Sequence, residues 1–369
     1  MYLESLELLY FKNYEECRLS FSPHINCLTG ENGSGKTNLL DAIYYLSLTK
    51  SAFHKTDLPN IRQGHDFFMI HGDFVDTAQK HAVRCAYSLV EKKILSCNTI
   101  PYERITEHIG RFPVVLIAPD DTQVIREGSE ERRKFFDGII AQTDNHYLHN
   151  LLAYNHYLLQ RNSLLKQFAE RHYFDRDLLE AYSAPLLELA EKIYHKRQDF
   201  LQKFEPLFQK HYARLTQSRE IVRLSYESQW QAENPTTDFW AALGKDAQLQ
   251  RSTHGIHRDD YVFQINDFSL KKYGSQGQQK SYLIALKLAQ FEAIEAATGH
   301  KPILLLDDIF DKLDELRIGQ LLQMVADSFF GQIFITDARP ERSRALLAHL
   351  GEKARFFGVH EGFVQGENL

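Results

Sequence analysis

The chain has 369 residues, 43% hydrophobic and 25% charged, which is enough to bury a full core over two or three domains and excludes a disordered or collagen-like polymer. Lys and Arg total 43 against 49 Asp and Glu, a net charge of -6, so there is no chain-wide basic field and any nucleic-acid contact has to be local. Four cysteines (Cys17, Cys27, Cys85, Cys97) lack C-x-x-C spacing, which argues for buried thiols in a reducing cytoplasm and against zinc or a disulfide framework. The opening MYLESLELLYF carries acids where a signal peptide needs bases, and a mean hydropathy of -0.39 fits the lack of an apolar run of spanning length, so a cytoplasmic protein without a membrane span is expected.

In chain order, Leu3 to Leu9 is apolar mixed with acids, and Ile25, Cys27 and Leu28 then run into glycine-rich GENGSGKT and the helical pattern NLLDAIYYLSL. Met69 to Val90 and Val114 to Ala118 read as strands, the first group partly alternating, the second apolar enough to be buried on both faces. Between Gln142 and Gln231 apolar residues recur at three- and four-residue steps, with Pro185 and Pro206 as the breakers. Leu151, Leu152, Leu158, Leu159 and Leu165 mark one helix, and Leu178, Leu179, Leu187, Leu189, Ile193 and Phe200 a second folding back on it; at about 25 residues each, the arm would reach roughly 40 Å. After Thr253 come strand-like YVFQI, a polar glycine loop, the helix SYLIALKLAQFEAIEAA, the run ILLL and the strand IFIT. The expected architecture is an α/β head split in sequence (residues 1–138 and 246–369) around an inserted α-helical arm (139–245).

Gly30, Glu31, Asn32, Gly33, Ser34, Gly35, Lys36 and Thr37 fit G-x-x-x-x-G-K-[ST] with a strand before and a helix after. In that geometry the amides of Asn32 to Thr37 point at nucleotide phosphates with the helix N-terminus behind them, Lys36 adds charge, and the Thr37 hydroxyl binds Mg2+. A magnesium nucleotide also needs a carboxylate at the end of a neighbouring buried strand, and ILLL runs directly into Asp307 and Asp308. Asp307 would hold Mg2+ through water, and Asp308 would orient or deprotonate the attacking water.

The acidic strand comes late in the chain, preceded by GSQGQQKS at a helix start, and this order resembles the ABC-type P-loop ATPases with their SGGQ-like signature. Ser275, Gln276, Gly277 and Gln278 keep the pattern except that Gln276 replaces a glycine. A serine hydroxyl and amides at a helix N-terminus form an anion site, which the resemblance assigns to the ATP of a second subunit, implying a homodimer in the ATP state. Lys312, Leu313 and Asp314 resemble the D-loop that crosses such a dimer, and Thr336-Asp337 occupies the place where many transporters carry a switch histidine.

Outside these motifs the chain resembles the RecF family of bacterial recombination and repair ATPases over essentially its whole length. FKNY (Phe11 to Tyr14), TKSAFHKTD from Thr49, APDD (Ala118 to Asp121), REGSEERRKFFD (Arg126 to Asp137), QRNSLLK (Gln160 to Lys166) and GIHRDD (Gly255 to Asp260) carry the resemblance; Ile256 stands where the family has proline. It implies ATP and Mg2+ as cofactors, a weak DNA-dependent ATPase used as a switch, binding to duplex or gapped DNA, work with RecR and RecO, and help in loading RecA during DNA replication, repair and the SOS response. Basic residues fit that expectation: Lys55, Arg132, Arg133 and Arg161 are the candidate DNA contacts, and Lys166, Arg171, Lys192, Lys196 and Arg197 punctuate the arm. His254 and His257 beside Asp259 and Asp260 could suggest a metal, but the family resemblance accounts for them without one.

The alternatives are an ABC ATPase subunit of a transporter and a short SMC-like protein. The long arm and paired arginines disfavour the first, and an arm of roughly 40 Å disfavours the second. A nuclease would need a further acidic metal-binding domain, and the sequence ends soon after IFIT.

Overall fold

The computed structural model describes residues 1–77, 79–217, 220–311, 315–348 and 353–367. They divide into two compact units, Met1–Asp121 with Lys287–Leu369, and Thr122–Leu286.

The first unit starts with β1 (Tyr2–Phe11) and β2 (Tyr14–Ser20), then β3 (Ile25–Thr29) and α1 (Lys36–Leu48). It continues through β4 (Phe67–Asp76), β5 (Gln79–Ser88), β6 (Lys92–Cys97), β7 (Ile100–Pro101) and β8 (Val114–Ile117). One sheet has the order β2-β1-β4-β5-β6-β7 and is antiparallel throughout. A register shift between Leu3 and Ser5 explains why Leu3 and Leu6, three residues apart, are both buried, because the extra residue restores one inward face.

The second unit holds α2 (Gln123–Arg126), α3 (Ser129–Thr143), α4 (Asn145–Arg171), α5 (Arg176–Thr216), β9 (Val222–Glu227), α6 (Pro235–Ala241) and α7 (Leu243–Leu249). β10 (Asp260–Ile265), β11 (Phe268–Ser269), α8 (Leu270–Tyr273) and the start of α9 (Gln276–Thr298) complete it. α4, at 27 residues, is about 40 Å long, but α5 runs 41 residues, about 60 Å, straight through Pro185 and Pro206. Each proline removes one N–H donor, and the apolar face on both sides (Leu179, Leu186, Ala190, Ile193, Leu201, Phe204, Phe208) outweighs that loss. The expected strand YVFQI is β10, but its partners in the sheet β11-β10-β9 are not read from periodicity: β9 falls in the stretch expected to be helical, and β11 is two residues long. Arg197 of α5 ties the unit together, donating from Nε and Nη2 to Asp137 of α3 (both 2.9 Å) and from Nη1 to Asp259 and the Ile256 carbonyl (both 2.9 Å).

The chain returns to the first unit through α9, then β12 (Ile303–Leu306), α10 (Glu315–Ala326), β13 (Ile333–Asp337), α11 (Pro340–Leu347), β14 (Ala354–His360) and β15 (Phe363–Glu367). The order β15-β14-β3-β13-β12-β8 is parallel from β14 to β8, with β15 an antiparallel edge. Every residue of β3, β8, β12 and β13 is buried, as expected of parallel strands covered on both faces. α1 shares this core and buries ten of its thirteen residues, so the helix that follows the glycine loop is held on several sides. No helix among the described residues is long and apolar enough to cross a membrane.

Candidate nucleotide-binding site

The carboxyl ends of β3, β12 and β13 lie side by side, the position at which parallel sheets present their ligands. There a cavity of about 160 Å³ is lined by Asn32, Gly33, Gly35, Lys36, Thr37, Asn38, Asp307, Asp308 and Thr336. Five of the eight glycine-loop residues expected at a phosphate site line it; Gly30, Glu31 and Ser34 form the turn behind.

The loop is shaped by parts far apart in sequence. Gly30 has φ 150°, and a Cβ there would lie 2.2 Å from the Val359 carbonyl oxygen of β14. Gly35 has φ 115°, and a Cβ there would meet Asn13 Nδ2 at 2.4 Å and the Tyr14 hydroxyl at 2.8 Å. Both neighbours are donors: Tyr14 Oη donates to the Gly35 carbonyl (3.0 Å) and Asn13 Nδ2 to the Ser34 carbonyl (3.1 Å). The Gly362 amide, in the turn between β14 and β15, donates to the same Ser34 oxygen (3.1 Å), and Asn38 Nδ2 holds Asn13 Oδ1 (2.7 Å). With successive carbonyls tied back, the loop's N–H groups are the dipoles left to face an anion. The FKNY turn thus has a supporting role that a reading as a strand end misses.

Lys36 is buried, and Nζ donates to the Gly30 and Glu31 carbonyls (2.7 and 2.8 Å). Burial pulls it below the ordinary lysine value, against the pull of Asp308, Asp307 and Asp337. Thr37 Oγ1 donates to Asp307 (2.9 and 3.1 Å to its two oxygens), and Thr336 Oγ1 donates to Asp307 Oδ1 (2.8 Å). Burial pushes the Asp307 carboxyl up, and the two threonine hydroxyls work against it. A hydroxyl and a carboxylate at contact distance are the hard oxygen donors that Mg2+ takes. Asp308 has φ 51°, its amide donates to Thr336 Oγ1 (2.8 Å), and its Oδ1 is buried with no hydrogen-bond partner among the described residues. Asp337 belongs to a different network: it is fully buried and accepts from the Arg339 amide, Arg342 and Ser343 Oγ.

Ser275 to Gln278 open α9 as a reciprocal cap, with the Ser275 amide donating to Gln278 Oε1 (2.7 Å) and the Gln278 amide to Ser275 Oγ (3.2 Å). Ser275 and Gln276 are exposed there, and Gln278 Nε2 also donates to Glu220 (2.6 Å). Leu313 and Asp314, with Lys312, lie outside the described residues.

The candidate DNA contacts separate. Lys55 is exposed, on a segment fastened to α1 by Asp41, whose carboxylate accepts from the Ala52 amide (2.7 Å) and Ser51 Oγ (2.6 Å) and pairs with Lys12 (2.5 Å). Arg161 is a correction: it is fully buried, ion-paired to Asp246 (2.8 Å), bonded to Ser252 and Ser183 and packed over Phe239, so it cannot reach a DNA phosphate. Arg197 is likewise interior. Arg132 is committed to Asp260 by two bonds (2.7 and 2.8 Å), and Arg133 to Ser129 Oγ and the Asp259 carbonyl. His257 is a structural residue held by Tyr154 and the Ser252 carbonyl.

Residues 2–93 match the family described as RecF/RecN/SMC N terminal domain. A relative described as DNA replication and repair protein RecF, from Cytophaga hutchinsonii, is 46% identical over 99% of this chain and 97% of its own. A solved structure of the recombination mediator protein RecF with ATP, in the RecFOR pathway, is 27% identical, covers 100% of this chain and 98% of its own, and superposes with a TM-score of 0.89. An Smc head domain from Pyrococcus furiosus, 19% identical over 100% of this chain and 96% of its own with a TM-score of 0.57, shares the fold. The fold is that of an ABC-type ATPase head, and with 46% identity over nearly its full length to a RecF protein, the chain belongs to the RecF family.

Proposed function

We propose that this chain is an ATP-driven, DNA-binding switch of recombinational repair. The observation that carries the reading is the convergence of Lys36, Thr37, Asp307 and Asp308 on one cavity at the ends of three strands, with a buried Asp308 oxygen that has no hydrogen-bond partner among the described residues. The loop amides and Lys36 bind the β- and γ-phosphates. Thr37 and Asp307 would hold Mg2+, which would supply neutralisation of the charge that develops on the phosphates. Asp308 accepts a proton from the water whose oxygen attacks the γ-phosphorus, as the bond to the bridging oxygen breaks and ADP leaves. The exposed Ser275 at the head of α9 serves the γ-phosphate bound by a second copy, so ATP joins a homodimer and hydrolysis releases it.

Dimerisation doubles the exposed bases, Lys55 on the segment tied to α1 and Lys166 and Arg171 on the arm, and sequence-independent binding to duplex or gapped DNA follows from phosphate contacts. By kinship with proteins named for the RecFOR pathway, RecR and RecO are its partners and RecA loading is its outcome in a bacterial cytoplasm. Fluorescence anisotropy of a labelled gapped duplex with the Asp308→Asn protein, with and without ATP across a salt series, tests this. ATP-dependent binding that weakens steeply with salt supports the switch. Equally tight binding by a monomer without nucleotide refutes it.

A further inference from the structure

We propose that Thr336 is the positioning residue that aims Asp308, an inference that rests on the hydrolytic reading above. β13 pairs with β12 at Ile335 and Leu306, which puts Thr336 opposite the two aspartates that follow β12. Its side chain is 1% exposed, and its one hydroxyl is used in both directions. Oγ1 donates to Asp307 Oδ1 (2.8 Å) and accepts from the Asp308 amide (2.8 Å).

That second bond matters because Asp308 has a left-handed backbone, φ 51°, which side-chain-bearing residues adopt rarely and hold only when neighbours determine it. The bond to Thr336 is such a determinant. It fixes the peptide between Asp307 and Asp308, and so fixes which way the Asp308 carboxylate leaves the chain. The result is an Asp308 Oδ1 that is buried and without a hydrogen-bond partner among the described residues, in a side chain that lines the nucleotide cavity. Thr336 itself lines that cavity while both its hydrogen bonds go to the aspartates, so its part in turnover is to hold the base rather than to grip the nucleotide.

Valine has the shape of threonine and no hydroxyl, so Thr336→Val removes the bond from the Asp308 amide, and with it the bond to Asp307, with little change in packing. Nucleotide binding and single-turnover ATP hydrolysis of the full chain are compared for wild type, Thr336→Val, Thr336→Ser, Asp308→Asn and the Thr336→Val/Asp308→Asn pair. Thr336→Val is expected to bind ATP as wild type does and to hydrolyse it roughly 10- to 100-fold more slowly, the scale of a misaimed catalytic group, with Thr336→Ser recovering most of the rate. The double variant is expected to be no slower than Asp308→Asn, because both changes remove the same aimed carboxylate. Thr336→Ala repeats the test should the valine variant fold poorly. A wild-type rate in Thr336→Val, a double variant slowed by the product of the two effects, or a loss of ATP binding that matches the loss of rate would each overturn the proposal. A wild type that binds ATP without ever hydrolysing it would refute the hydrolytic reading itself, and this inference with it.

Discussion

Arg161→Met is the substitution that separates a structural arginine from a DNA contact. Arg161 and its partner Asp246 are both 0% exposed, and the guanidinium supplies Asp246 Oδ2 with its bond at 2.8 Å, while Thr253 serves Oδ1 from its amide (2.8 Å) and hydroxyl (2.7 Å). Methionine keeps much of the aliphatic stem but leaves Asp246 Oδ2 inside without its cation, and also loses the bonds to Ser252 Oγ (2.5 Å) and Ser183 Oγ (3.1 Å). Breaking a buried pair from one side costs about 3–5 kcal/mol, because the remaining charge stays desolvated. For a unit of this size, at about 2–4 °C per kcal/mol, the expected drop in Tm lies between about 6 and 20 °C. Replacing both partners, as Arg161→Met with Asp246→Asn, should recover much of it, since no unpaired charge then remains and the amide oxygen still accepts from Thr253. Thermal unfolding followed by circular dichroism reads the stability, and DNA anisotropy well below Tm reads the contact. An Arg161→Met protein with wild-type Tm, weaker DNA binding and a shallower salt dependence would refute the argument and restore Arg161 to the DNA surface.

Tyr14→Phe removes the hydroxyl that holds the Gly35 carbonyl and little else; a net hydrogen bond of about 0.5–1.5 kcal/mol predicts about two- to tenfold weaker ATP binding by calorimetry, and unchanged affinity would remove Tyr14 from the loop's support. Ser275→Arg should bind ATP normally yet stay monomeric in light scattering, since Ser275 is exposed at the start of α9 and distant in sequence from the glycine loop; an ATP-dependent dimer of this variant would contradict the proposed trans contact. Burial pulls His108 and His257 from the ordinary 6.5 down to about 4, so between these values the unfolded chain binds protons that the folded chain does not. Stability should therefore fall as pH drops from about 6.5 to about 4, by up to about 3 kcal/mol for each histidine, and a Tm that fell as steeply across that range in His257→Gln as in wild type would reject the assignment for His257.

How far the sequence reaches depends on whether a feature is local. Gly30 to Thr37 place the residue pattern of a phosphate-binding loop in eight consecutive residues between a strand and a helix, and the run Ile303 to Leu306 ends directly in Asp307 and Asp308, so strand, loop, helix and carboxylates are all legible without a partner in view. Hydrophobic periodicity likewise announces the buried parallel strands, because burial of both faces leaves its mark in neighbouring residues, and it announces α4 as a helix but not its inner face, where Tyr147, Tyr154, Arg161, Leu165 and Phe168 are buried while Leu152 and Leu159 are exposed. What tertiary structure decided is which polar group meets which. Asn13, Tyr14 and Gly362 meet at the glycine loop from opposite ends of the chain, and Thr336 reaches back 29 residues to Asp307; nothing in their local sequence encodes those pairings. Arg161 reads as a surface base because charge alone does not reveal a carboxylate 85 residues away that makes its burial tolerable. α5 passes through two prolines for a related reason. A single missing N–H is a local cost, and the apolar face that outweighs it exists only once the helix is packed.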